Sequence, residues 1–394
     1  MNRRSFLASA GIVAAFSAIP CIRRLNPPAP LSINNAYSLW YNRPAVAEIE
    51  GGFCFGYLTS DGEVAVAEVT NDLLVRRTKV VHKLESPSDH GSPSLAVIPS
   101  GKYKGHIIAC FSKHATQLIC ARTRLPGDMG AWEILPLVDD GRSTYASLAA
   151  LPDGQVMLMH TIQERIGNYD SGEWRRTVVR TSDTGGDSWS DPVQVVGNGA
   201  GTFPYSTPLA LSRGGRCAMS YAMYKSATKR HEGLSLVVTS DAFKEKTEIK
   251  VDLGDDEVYD TIPYETKWVA DDRVAVVFSQ MSAGGSRGVS KVAFVDLKSA
   301  TVESITSLSE TEVHSYAGGA AIDDGGRYII TSPPGGGLIE KYISSGSTKV
   351  IADQGSFSSP WIFTVGGKSR LAVLKNPVIK NSRNYSADLF FVEI

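Results

Sequence analysis

Short apolar runs of strand length alternate with turn residues along most of the chain. An aromatic residue or a histidine precedes seven of these runs, and a glycine or acidic turn follows each. The seven segments begin at Tyr41, His90, Tyr145, Tyr205, Tyr264, Tyr316 and Phe357. Their spacing of roughly 40 to 60 residues suits a four-stranded unit. The pattern therefore predicts an all-β fold, a seven-bladed β-propeller of four-stranded antiparallel blades.

The repeated aromatic position also predicts where ligands bind. In a propeller, the residue before each innermost strand lies near the central axis, so the repeats should place a ring of polar aromatic side chains around one pocket. The candidate substrate-binding residues are Tyr41, Arg43, Tyr145, His160, Tyr205, Tyr221, Tyr264, His314 and Tyr316. The alternative at each position is that the ring packs neighbouring blades together.

The N-terminus has the pattern of an export signal. Arg3-Arg4 precedes a modest apolar stretch that is too short to cross a membrane. We expect a twin-arginine-type signal peptide over residues 1–25, a Pro-rich linker over 26–30, and a single propeller over 31–394. The segment Leu31–Trp40 is expected to add a strand to the last blade. This organisation predicts a periplasmic or extracellular protein.

Composition narrows the possible partners. The formal net charge is −1, which gives no electrostatic footprint for nucleic acid. No apolar run after the N-terminus is long enough to span a membrane. The cysteines of the mature part, Cys54, Cys110, Cys120 and Cys217, lie in apolar strand-like runs without metal-ligand spacing. They are predicted to be buried thiols rather than a metal site or a disulfide framework.

The segment Ser182–Trp189 resembles the Asp-box, a turn motif of BNR-repeat propellers, with Thr184 where the motif has an aspartate. A wider resemblance rests on Asp89-His90-Gly-Ser-Pro93, on Ser112-Lys113-His114 and on the stretch from Arg180 to Ser190. These segments resemble the BNR-repeat propeller family that includes the propeller-type ulvan lyases. The resemblance is best over blades two to four.

The resemblance implies a metal-independent β-elimination on uronic acid residues, with no catalytic cofactor and with room for a structural metal ion. It implies an acidic polysaccharide or oligosaccharide as substrate. The residues that match the family's site are His90, His114 and Tyr224, together with an arginine of blade three, Arg176 being favoured over Arg175 and Arg180. Each could instead have a structural role, such as capping a turn or facing solvent.

These residue types suit the chemistry. An arginine fork can neutralise the uronate carboxylate, and a histidine can take the C5 proton near neutral pH. We assign His114 and Tyr224 as the base and the acid, in either order, His90 as a second proton-transfer or carboxylate-binding group, and Arg176 as the group that neutralises the carboxylate. Two other functions stay open: an exo-glycosidase of the sialidase or rhamnosidase sort, and a propeller that binds glycans without turnover.

Overall fold

The computed structural model describes residues 29–165, 173–197, 199, 201–253, 259–282, 287–312, 319–333, 335–381 and 383–394. The predicted signal peptide (1–25), most of the predicted linker, and the candidates His314 and Tyr316 lie outside the described residues. No α-helix occurs in the described ranges, and a single 3-10 turn spans Asp89–Gly91. The all-β class is confirmed.

Twenty-nine strands occur in the described ranges. The first nine are β1 Leu31–Ile33, β2 Val46–Ile49, β3 Gly52–Leu58, β4 Glu63–Thr70, β5 Val75–Lys83, β6 Ser94–Val97, β7 Ile107–Phe111, β8 Thr116–Thr123 and β9 Trp132–Ile134. The next nine are β10 Asp139–Ala150, β11 Val156–Arg165, β12 Glu173–Ser182, β13 Val193–Val196, β14 Thr202–Ser206, β15 Ala210–Leu211, β16 Cys217–Lys225, β17 Arg230–Thr239 and β18 Thr247–Lys250. The remainder are β19 Tyr259–Ala270, β20 Arg273–Ser282, β21 Arg287–Asp296, β22 Thr301–Glu312, β23 Ala320–Ile322, β24 Tyr328–Thr331, β25 Leu338–Tyr342, β26 Thr348–Ala352, β27 Phe357–Val365, β28 Lys368–Asn381 and β29 Asn384–Glu393.

The strands pair with their chain neighbours in antiparallel sheets. Four-stranded sheets run β2–β5, β19–β22, β23–β26 and β27–β28–β29–β1, and β14–β18 form a five-stranded sheet. Strands β6 to β13 form one eight-stranded sheet, in which two four-stranded groups are joined by pairing of β8 with β10. The innermost strand of each later sheet contacts the sheet that precedes it along the chain. This is the arrangement of a β-propeller.

The first and last sheets close the ring. The aromatic rings of Phe53 and Phe363 pack across this junction with centroids 5.4 Å apart. Arg370, which is fully buried, donates to the carbonyl oxygens of Val365 and Asn71. The predicted N-terminal strand is confirmed: β1 pairs with β29 as the outermost strand of the last sheet. The outer edge of the last sheet is therefore formed by a strand of three residues, and short edge strands offer little surface to another chain.

The turn that resembles an Asp-box is held by hydroxyl groups. Ser182 Oγ accepts a hydrogen bond from the Gly186 amide at 2.8 Å, and Thr184 Oγ1 accepts one from the Ser188 amide at 2.8 Å. The threonine oxygen thus accepts the bond for which the motif uses a carboxylate. Trp189 packs against the apolar interior of this part of the ring. The motif stabilises a corner of the fold.

The prediction of buried thiols was wrong for one pair of cysteines. Cys110 and Cys120 form a disulfide between β7 and β8. They are directly opposite each other in the antiparallel register, so their side chains point to the same face of the sheet. Cys54 and Cys217 are buried free thiols, as predicted, and burial raises the pKa of each to about 12.

Candidate active site

Side chains from three consecutive sheets meet at the end of the ring where the innermost strands begin. Their rings form a continuous series of contacts with centroid distances between 4.4 and 6.3 Å. We call this group the histidine–tyrosine cluster; its members are Tyr41, His90, His114, Tyr145, Tyr205, Tyr224 and His231. Four separate sequence repeats and two hairpins contribute to it. Every member except His231 was a candidate from the sequence.

The turn between β5 and β6 places His90. Asn42 donates to the carbonyl oxygens of His90 and Ser92, at 2.8 and 2.7 Å, and so fixes the turn against the neighbouring segment. A Cβ at Gly91 would lie 2.5 Å from a methyl group of the buried Leu84, so a larger residue there would displace that side chain. These contacts hold the turn that carries His90.

His90 is held between a carboxylate and a phenol. Its Nδ1 lies 2.5 Å from Oδ1 of Asp89, and its Nε2 lies 3.2 Å from the hydroxyl of Tyr145. Both Asp89 and His90 are buried. Because an ionised carboxylate can only accept, Nδ1 carries a proton in this pair, and Nε2 faces Tyr145.

Tyr145 reaches His90 because of a β-bulge in β10. The register with β11 shifts between Thr144 and Ser147, so that an extra residue stands in β10. Tyr145 itself has φ of +59°, a left-handed conformation that tyrosine rarely adopts. Bulges re-aim side chains and are common next to active sites. Here the bulge turns the tyrosine ring toward the cluster, where it packs 4.4 Å from Tyr41.

His114 lies in the hairpin between β7 and β8 and is partly buried. Its ring stands edge-on to that of His90, with centroids 4.7 Å apart. Its Nε2 lies 3.4 Å from Nε2 of Gln163. Burial lowers the pKa of His114 to about 3, and the nearby His90, Arg175 and Arg142 contribute to the shift. His114 is therefore a neutral imidazole at neutral pH, and a neutral imidazole can accept a proton.

Arg175, and not Arg176, is the arginine beside this cluster. Successive residues of a strand point to opposite faces, and Arg175 is paired with Gln163, the neighbour of His114. The Arg175 guanidinium lies over the rings of Phe203 and Tyr205 and donates to the Tyr205 hydroxyl at 3.4 Å. Arg176 faces the other way and forms an ion pair with Glu164 at 2.9 Å. The structure thus does not bring Arg176 to the cluster.

The far side of the cluster contains a second histidine–aspartate pair. His231 Nδ1 lies 2.8 Å from Oδ1 of Asp260, which also accepts the His231 amide. The His231 ring packs 4.6 Å from Tyr205 and 5.1 Å from Tyr224. Its Nε2 is buried and has no hydrogen-bond partner among the described residues. Burial, with Tyr205 and Asp260, raises the pKa of Tyr224, so its phenol is protonated at neutral pH.

Two further candidates lie away from the cluster. His160 is fully buried, with Nδ1 3.1 Å from the Ser143 hydroxyl, and it lies on the face of β11 opposite to Gln163. Tyr221 hydrogen-bonds to Glu248 at 2.5 Å. Burial and this carboxylate raise the pKa of Tyr221 to about 12. Both side chains serve the packing of sheets rather than the cluster.

Arg43 and Tyr264 line a separate axial cavity of about 390 Å³. Arg43 is buried and donates to the carbonyl oxygens of Ser359 and Pro360, at 2.9 and 3.2 Å. Burial lowers the pKa of Arg43 to about 10. Tyr264 is buried against Trp40, which stacks on Tyr41. No member of the histidine–tyrosine cluster lines this cavity, so the predicted ring is divided between two places.

Sequence reasoning missed His231 and ranked Arg175 below Arg176, and the hairpin register would have corrected both. Gln163 and Arg175 are cross-strand partners in β11 and β12, and Tyr224 and His231 are partners in β16 and β17. Cross-strand partners share a face of the sheet. Pairing the strands would have selected Arg175 over its neighbour and would have placed His231 next to Tyr224.

The described ranges contain no group of three or more His, Cys, Asp or Glu side chains that could hold a metal ion. Within the same ranges, no helix is long and apolar enough to cross a membrane.

The charged groups close to the cluster include Arg175 and Arg142 as cations, and the carboxylates of Asp89 and Asp260 are each engaged with a histidine. The site can therefore bind an anionic group.

Comparison with known proteins supports the fold. No family model matches the sequence, and no curated protein is significantly similar to it. Among solved structures, a PL25 ulvan lyase bound to a GlcA–Rha3S fragment superposes with a TM-score of 0.60 at 12% identity, covering 92% of this chain and 94% of that one. The polysaccharide lyase Uly1 gives 0.59 at 10% identity, covering 94% and 100%. A GH93 α-L-arabinofuranosidase of Fusarium graminearum gives 0.50 at 11% identity, covering 73% and 90%. At these identities the likeness shows the fold, which is shared with carbohydrate-active enzymes.

Proposed function

We propose that this protein is a polysaccharide lyase that cleaves a uronic-acid-containing glycan by metal-independent β-elimination. The observation that carries the proposal is that His114, a neutral imidazole, contacts Gln163 and that Arg175 is the cross-strand partner of Gln163, with tyrosine hydroxyls in the same cluster. A base, a cation for the carboxylate and an acid are the groups that this elimination needs. The similarity in fold to two polysaccharide lyases favours the same chemistry.

In the proposed reaction, the guanidinium of Arg175 binds the uronate carboxylate and stabilises negative charge as the C5–H bond breaks. His114 accepts the C5 proton, the electron pair of that bond forms the C4=C5 double bond, and the C4–O4 bond breaks. The departing O4 takes a proton from an acid of the cluster. We transfer to Arg175 the neutralising role that the sequence suggested for Arg176.

A hydrolase is the competing enzyme class. Glycoside hydrolysis usually requires two carboxyl groups that flank the scissile bond. The carboxylates next to the cluster, Asp89 and Asp260, are each hydrogen-bonded to a histidine, and Asp89 is 1% exposed. This arrangement favours elimination over hydrolysis. A glycan-binding propeller without turnover is the remaining alternative, and the test below separates all three.

The test follows the ultraviolet absorbance of the unsaturated uronate product across a panel of uronic-acid polysaccharides. We expect Arg175→Met to lower turnover by on the order of 10²–10³, since it removes a charge-stabilising donor. Arg176→Met is the matched control, because its half-exposed ion pair with Glu164 lies on the opposite face and contributes little. New reducing ends without absorbance would mark a hydrolase, and binding without either signal would mark a lectin-like propeller.

We further propose seven blades, with the eight-stranded sheet counted as two blades joined by the pairing of β8 and β10. We also propose membership of the BNR-repeat family and export by the twin-arginine route. The export proposal predicts that the protein accumulates outside the cytoplasm and that replacing Arg3 and Arg4 by lysine retains it inside. Cytoplasmic retention of the unaltered chain would contradict it.

A further inference from the structure

Asp89, His90 and Tyr145 form a linear array that the proposed roles above leave unexplained. The carboxylate meets Nδ1 of the imidazole at 2.5 Å, and Nε2 on the other side of that ring meets the phenol oxygen at 3.2 Å. Each contact joins groups that can exchange a proton. The three side chains are therefore connected from a carboxylate to a hydroxyl.

The array joins a buried carboxylate to the tyrosines of the cluster. Asp89 and His90 are each 1% exposed, and Tyr145 is 6% exposed. The Tyr145 ring lies in contact with Tyr41 and near Tyr205, at centroid distances of 4.4 and 6.2 Å. Tyr145 is thus the member of the array that contacts the other tyrosines, while the carboxylate and the imidazole are shielded from bulk water.

The unusual backbone conformation at Tyr145 sets the direction in which its side chain points. A tyrosine with φ of +59° in a β-bulge is a conformation that the sequence alone would not favour. Non-glycine residues held in this region are concentrated at functional sites. Packing alone does not require this left-handed conformation, because an aromatic ring can fill the same kind of space from a residue with ordinary strand geometry.

The two neighbouring histidines, His90 and His114, have different electrostatic surroundings. Their rings are 4.7 Å apart, so a positive charge on one disfavours a charge on the other. Burial and the neighbouring cations lower the pKa of His114, so it is neutral and suited to accept a proton. His90 has a carboxylate at hydrogen-bond distance and so can carry the positive charge. Paired groups whose environments differ in this way reveal acid and base assignments.

Resting on the proposed lyase function, we infer that Tyr145 is a catalytic residue, the proton donor to the departing O4 atom, and that His90 replaces the donated proton. As the C4–O4 bond breaks, its electron pair stays on O4, which takes the hydroxyl proton of Tyr145. The phenolate oxygen takes the Nε2 proton of His90, whose positive charge Asp89 has stabilised. His114 then releases the C5 proton to solvent, and the Tyr145 hydroxyl passes one proton to Nε2 of His90 while it takes another from solvent, which restores the resting site.

The test compares two leaving groups. One substrate is a uronic-acid polymer, whose departing sugar oxygen needs a proton. The other is a synthetic uronate with 4-nitrophenol linked through oxygen at C4, whose departing phenolate leaves without one. We expect Tyr145→Phe to lower kcat on the polymer by about 10²–10⁴ with KM nearly unchanged, and to lower kcat on the aryl ether far less. Asp89→Asn should show the same difference between substrates, as a positioning residue acting through His90.

The controls separate the possible outcomes. Tyr328→Phe, a buried tyrosine of a distant sheet, should leave both activities unchanged, and His114→Ala should lose both. If Tyr145→Phe retains polymer turnover, or loses both substrates equally, the assignment of Tyr145 as proton donor is overturned while the lyase function stands. If the unaltered protein eliminates neither substrate, the proposed function fails and the inference fails with it. Should Tyr145→Phe not fold, Asp89→Asn decides by the same comparison.

Discussion

His160 predicts how the fold responds to acid. The imidazole is fully buried and hydrogen-bonded only through Nδ1 to Ser143 among the described residues, and burial lowers its pKa to about 3, with Arg180 and Arg176 adding to the shift. In the unfolded chain the ring has its ordinary pKa of about 6.5. The unfolded state therefore binds more protons than the folded state between these two values, and stability falls as pH falls through this window.

The size of this loss of folding free energy follows from the two pKa values of His160. Between about pH 7 and about pH 4.5, protonation of the unfolded ring alone should cost about 2.5 kcal/mol of folding free energy. We expect His160→Gln to remove this loss, since glutamine can still hydrogen-bond to Ser143 but does not titrate. His114, whose pKa is also lowered, titrates in both proteins and cancels in the comparison.

The assay is urea unfolding of both proteins at the two pH values, followed by tryptophan fluorescence. The loss of unfolding free energy on acidification should be smaller in His160→Gln by about 2.5 kcal/mol. Equal losses in the two proteins would refute the reasoning, because they would mean that His160 titrates alike in the folded and unfolded chains.

Two other predictions concern the disulfide and the tyrosines of β16. Reducing Cys110–Cys120, which closes a loop with a sequence separation of 10, should lower the free energy of unfolding by about 2.7 kcal/mol; an unchanged urea midpoint after two more thiols become titratable would contradict this. Because Tyr145 is the inferred proton donor, Tyr224→Phe should lower lyase turnover far less than the loss of about 10²–10⁴ expected of Tyr145→Phe. Tyr221→Phe should leave turnover unchanged, because its hydroxyl is engaged with Glu248. A loss in Tyr224→Phe as large as that in Tyr145→Phe would assign the acid role to Tyr224 instead.

The repeat pattern was sufficient for the all-β class, and it also selected several side chains that the structure brings together. Turn residues separate apolar runs of strand length, and an all-β chain of this length can bury those runs only by packing sheet against sheet. The repeat position also led to Tyr145 and Tyr205, and the motif around residue 90 led to His90 and His114. The cluster brings all four together.

The remaining errors arise from strand register, which the repeats do not encode. A shift of one residue moves a side chain to the opposite face, and this is the difference between Arg176 and Arg175. The same reason explains His160 and Tyr221, which lie three positions before Gln163 and Tyr224, respectively. The prediction of free thiols at Cys110 and Cys120 rests on sequence spacing, whereas their cross-strand pairing in one hairpin allows the disulfide.

The pairing of β1 with β29 has a consequence for synthesis of the chain. Leu31 is among the first residues of the ring to leave the ribosome, yet its partner Phe391 is among the last. The last sheet therefore stays incomplete until β29 has been synthesised, and loop-closure entropy makes contacts of such long range slow to form. During that interval, the strands synthesised first must avoid pairing with other chains. Joining the two ends and opening the chain at an exposed turn elsewhere would make this contact local, so a circular permutant should fold faster without a change in the finished ring.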